Sequence, residues 1–92
     1  MGKYYRIWEE TTIPAETDED TTYITTGPFT SERYADLDAA MKALKYLAAS
    51  KFNYSKYRLK TLCDIVKVSD REYRTLCWKT DTKLITRRYY IV

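Results

Sequence analysis

Only one stretch of this chain, residues 36–49, carries the period of an amphipathic helix, so any sheet it forms can be covered by a helix on one face alone. Leu37, Ala40, Met41, Leu44, Leu47 and Ala48 share one side at offsets of 3, 4, 7 and 11. Asp38, Lys42 and Lys45 fall away from that side. Asp36 is placed to cap the helix by accepting from the free amides of its first turn. The apolar stripe reads as core, packed against a sheet.

The rest of the regular structure reads as strands. Residues 3–9 and 21–26 are rich in strand formers, and the Gly27-Pro28 pair reads as a break after the second run. Residues 51–56 read as a connector. Three further strands follow at about 57–68, 73–79 and 84–91, separated by polar turns at 69–72 and 80–83. Residues 57–92 thus form a basic three-stranded meander. The expected fold is α+β: one small domain over residues 1–92, in the order ββαβββ, with one helix on one face of a mostly antiparallel sheet. At 92 residues the chain suits a single domain with one modest core.

Charge is unevenly placed. The net charge is only +3. Residues 1–50 hold five Lys/Arg against nine Asp/Glu, whereas residues 51–92 hold eleven against four. Six of the acids lie in residues 9–20 with no base among them, which reads as an exposed acidic loop. Their spacing lacks the glycine and the alternating ligands of a calcium loop, so no metal site is expected there.

Much chemistry is disfavoured. The chain has no histidine, which removes the usual general base and the commonest zinc ligand. Gly2 and Gly27 cannot form a phosphate-cradling loop, and no dinucleotide or nucleophile motif occurs. The expectation is a protein that is not an enzyme and uses no cofactor. No apolar run is long enough to span a bilayer, and residues 1–10 lack the apolar centre of a signal peptide. A cytoplasmic protein follows as the expectation, with Cys63 and Cys77 as reduced thiols.

Face assignment depends on register. If four-residue loops close the hairpins, Val68 opposes Tyr73, Cys63 opposes Trp78 and Ile65 opposes Leu76. Tyr57, Leu59, Cys63, Ile65, Leu76, Trp78, Ile85, Tyr89 and Ile91 then meet the helix. Arg87 shares that side and fits it poorly. Arg58, Lys60, Tyr73, Lys79, Arg88 and Tyr90 gather on the uncovered face and form the candidate binding site. Setting Cys63 opposite Cys77 would pair Leu76 with Asp64, which disfavours that register.

Bases beside tyrosines suit a protein-binding hot spot or a nucleic-acid surface. The leading expectation is a small adaptor or inhibitor docking on a protein partner through this face. The alternative is a nucleic-acid-binding module using the same residues. Leu62 and Val66 on that side also suit a homodimer of stacked sheets. Stand-alone proteins of this size and element order occur among phage and plasmid inhibitors of host nucleases, an analogy of size and architecture alone.

Overall fold

The computed structural model describes residues 4–14, 23–80 and 83–92. Its elements run β1 (Ile7–Ile13), β2 (Tyr23–Pro28), α1 (Leu37–Asn53), β3 (Cys63–Ser69), β4 (Glu72–Trp78) and β5 (Leu84–Ile91). The strands make one antiparallel sheet in the order β2-β1-β5-β4-β3. This is the expected α+β domain with ββαβββ order. The last strand lies between β1 and β4, so β2 and β3 form the sheet's edges.

The helix starts as its sequence dictates. The Asp38 amide donates to the Asp36 carboxylate at 3.1 Å. Ala40, Leu44 and Ala48 are wholly buried, while Lys42 and Lys45 are exposed. The helix packs on β4, β5 and β3. Leu44 and Ala48 meet Ile7, Tyr73 and Tyr89 in the core. Tyr89 has no exposed surface, and the Phe29 ring lies 4.9 Å from its centroid. Burying side chains of this size contributes about 2 kcal/mol each.

Several boundaries differ from the sequence reading. The helix continues through residues 50–53 and ends in a π turn, Tyr54–Arg58, where a connector and the first basic strand were expected. Residues 51–56 contain no glycine or proline to stop the helix, and the chain leaves the turn at Lys60, which has φ 54°. The acidic loop expected over 9–20 is partly strand. Residues 9–13 belong to β1, because Thr11, Thr12 and Ile13 suit a strand and pair on both sides or with β2. The remainder of that loop, from residue 15, lies outside the described residues. Gly27 and Pro28 do not break β2 but end it, which an edge strand permits because proline then leaves no central ladder bond unmade.

The largest correction concerns β4. Ser69 does pair with Glu72, as a tight turn requires, but the register shifts between Lys67 and Ser69. Val68 is the extra residue of this bulge. Beyond it Lys67 opposes Tyr73, Ile65 opposes Thr75 and Cys63 opposes Cys77. On the other side, Cys77 opposes Ile85 and Trp78 opposes Leu84. Every side chain of β4 therefore points opposite to expectation. Tyr73, Thr75 and Cys77 are buried beneath the helix, while Leu76 and Trp78 face away from it. The cysteines are not free thiols: Cys63 and Cys77 form a disulfide. Among the described residues, no helix is long and apolar enough to cross a membrane.

Candidate functional site: the uncovered sheet face

Alternation from the paired registers places the residues of the face without a helix in rows. Trp8, Tyr90 and Glu72 form the first row across β1, β5 and β4. Glu10, Arg88, Arg74 and Val66 form the second. Thr12, Thr86, Leu76 and Asp64 form the third, and Leu84 and Trp78 the fourth.

The centre of this face is a compensated charge cluster. Arg88 Nε lies 3.0 Å from Glu72 Oε1, and Arg74 Nε lies 3.0 Å from Glu72 Oε2. Arg88 Nη1 also stands 3.8 Å from Glu10. The Arg88 guanidinium lies 4.2 Å from the Tyr90 ring centroid, within cation–π range. Burial alone would raise the Glu72 carboxyl, but the hydrogen bonds and charges of Arg88 and Arg74 outweigh it and hold the group below its ordinary value. Around the cluster lie apolar side chains with free surface. Trp78 is 43% exposed and Val66 47%.

The six residues singled out from the sequence do not form one site. Arg88 and Tyr90 stand together on the uncovered face. Tyr73 lies beneath the helix at 9% exposure, because the β4 register turns it into the core. Arg58 and Lys60 sit in and just after the π turn, not on a strand. Lys79 lies just beyond β4, where its amide bonds back to the Lys83 carbonyl at 2.8 Å. These three occupy one end of the molecule with exposed Tyr54, Tyr57, Leu59 and Leu62. Trp8, Glu10, Arg74 and Glu72 were missed as site residues. The acids had no signal until their partners were known.

Fold and face together define a class: a small α+β domain with one antiparallel sheet surface that no described helix covers. No family model, curated protein or solved structure matches the chain.

Proposed function

We propose that the protein is a non-enzymatic binding protein, an adaptor or inhibitor, that docks on a protein partner through the face built by Trp8, Tyr90, Arg88, Leu76 and Trp78. One observation carries the reading: the cations on this face are already compensated, with the acids in slight excess. Its described strand residues include two arginines, Arg74 and Arg88, against three acids, Glu10, Glu72 and Asp64. Both arginines have a carboxylate at hydrogen-bonding distance. A surface that follows a phosphate backbone needs uncompensated cations. A protein interface instead favours aromatic and apolar anchors with arginine among them and satisfied polar groups around them. The aromatic and apolar anchors with arginine among them are present here, which supports the protein reading over nucleic acid on this face.

A cytoplasmic place of action belongs to the proposal. Self-association by stacking two such faces is the nearest competing use.

The test is affinity capture on immobilised protein, comparing the wild type with Leu76→Glu and with Lys42→Ala as a surface control. The reading expects a protein retained by the wild type and the control and lost with Leu76→Glu. Retention of nuclease-sensitive material alone would replace it, and concentration-dependent dimerisation abolished by Leu76→Glu would identify the second copy as the occupant.

A further inference from the structure

Arg87 is the misfit residue of the sheet. It follows the helix-side parity of Tyr89 and Ile85, so a guanidinium is directed beneath the helix layer. It is half-buried. Its neighbour Arg88 is held by Glu72 and Glu10, but no carboxylate among the described residues lies within ion-pair distance of Arg87. Glu9 shares that side of the sheet and, like Arg87, acts on the Tyr89 phenol, but it makes no direct ion pair with Arg87, whose partly buried charge gains from an anion in contact with it.

The surroundings of Arg87 suit such a supply. It lines a cleft of about 170 Å3 between the end of α1 with its π turn and the ends of β4 and β5. Lys51 and Lys79 line the same cleft, together with the hydroxyl residues Tyr54, Ser55 and Thr61. Among the described residues no acid lines it. Its floor includes Ile85 and Cys77, so the cations work against an apolar base that strengthens electrostatic contacts. The C-terminal end of the helix opposes an anion, but two of its carbonyls are engaged by the chain that follows. The Leu59 amide donates to the Tyr54 carbonyl at 3.2 Å, and the Thr61 amide donates to the Ser55 carbonyl at 3.1 Å.

Two backbone irregularities shape the same wall. Tyr54 and Ser55 stand in the π turn, and Lys60, between the cleft residues Leu59 and Thr61, has φ 54°. Single π turns and non-glycine residues in the left-handed region concentrate at functional sites. Here they set Ser55 and Thr61 at the cleft.

We infer that this cleft binds a small phosphate-type oxyanion, with Arg87, Lys51 and Lys79 supplying the charge and Ser55 and Thr61 the neutral donors. The guanidinium fork matches two oxygens of a tetrahedral anion, and the lysines act as point charges. The volume is below the roughly 300 Å3 at which ordinary organic-ligand pockets begin, so the ligand is inorganic phosphate or the phosphate of a small monoester. This site is separate from the uncovered face: its cations lie on the helix side and at the strand ends.

The experiment titrates the full chain, disulfide intact, with sodium phosphate, following amide chemical shifts, with sodium chloride at matched ionic strength as reference. The expected result is saturable shifts at residues 51–61, 77–79 and 85–87 in roughly the millimolar range. Arg87→Gln and Lys51→Gln should each weaken binding by about tenfold, the loss of one charge-assisted contact. Lys42→Gln, exposed on α1 outside the cleft, should not change it. Lys79→Gln at the exposed rim serves if Arg87→Gln does not fold. Phenyl phosphate separates the sources: stronger binding than phosphate assigns a monoester, weaker binding the free anion. Shifts that chloride reproduces, or that survive the Arg87, Lys51 and Lys79 substitutions, overturn the inference. So does a short single-stranded oligonucleotide that binds far more tightly with a steep salt dependence, since that describes a polyanion track.

Discussion

Cys63 and Cys77 stand directly opposite each other on β3 and β4, with Cα atoms 4.2 Å apart, and are joined by a disulfide. The bond ties the edge strand β3 to β4, the strand it pairs with. Both residues are buried on the helix side. Alkylation under denaturing, non-reducing conditions should therefore label neither sulfur. Replacing both by alanine should cost about 3 kcal/mol in urea unfolding, the loop-closure contribution of a ring of this size. Two labelled thiols in protein purified without reductant would refute the pairing.

Leu44 is wholly buried between α1 and the sheet, against Ile7, Tyr73 and Tyr89. Leu44→Ala should destabilise the domain by about 2 to 5 kcal/mol, the combined effect of lost transfer energy and the cavity left behind. A shift of less than half of the lower figure in chemical denaturation would place the stripe in solvent.

Lys60 ends the π turn with φ 54°, where glycine is the easiest residue to accommodate. The left-handed region costs a side-chain-bearing residue about 1 to 2 kcal/mol, and glycine's extra freedom when unfolded returns about 0.5 to 1 of it. Lys60→Gly should thus raise stability by roughly 0.5 to 1 kcal/mol. Thermal melts at equal protein concentration measure it; a lower midpoint contradicts the geometry.

Glu72 makes the stability of the uncovered face pH-dependent. Its folded pKa is depressed below the ordinary 4.5, so its contribution is full above that value and is lost as pH falls through the folded one. The wild type should lose more stability between neutral pH and acid than Glu72→Gln does. Equal losses in paired denaturation curves would show that Arg88 and Arg74 do not hold the carboxylate in solution.

Tyr89 has the opposite dependence. Burial, with the nearby Glu9 charge adding to it, pushes its phenol well above the ordinary 10.0. The neutral form is favoured in the fold, so this contribution is intact below pH 10 and falls away as pH rises toward the folded value. Tyr89→Phe should be less sensitive to alkali than the wild type in melts taken at increasing pH. The same slope in both would remove Tyr89 as the cause.

The helix was legible because its cap, its apolar period and its flanking charges are local. The face alternation of β3 and β5 was legible for the same reason: Cys63, Ile65, Ile85 and Tyr89 lie on the helix side as their period implies. β4 misled because its local pattern points the wrong way. Leu76 and Trp78 are its most apolar residues, yet Tyr73, Thr75 and Cys77 are the ones buried. That difference cost the candidate site Tyr73. Arg58 and Lys60 were lost to it because the helix runs past residue 50.

By itself the sequence determined the element order, the single helix and its inward stripe, and hence a sheet with one side left without a helix. These depend on neighbours within a few residues, which propensity and periodicity report directly. Only the tertiary structure decided which side of the sheet each β4 residue takes, that Cys63 meets Cys77, and that, among the described residues, Arg88 makes ion pairs while Arg87 does not. One bulge at Val68 and the loop that closes β4 onto β5 shift both pairings of β4 by a residue. With a side-chain period of two, a shift of one residue exchanges the faces. Its cost is settled by the packing of the whole sheet against α1, which no local stretch of sequence contains.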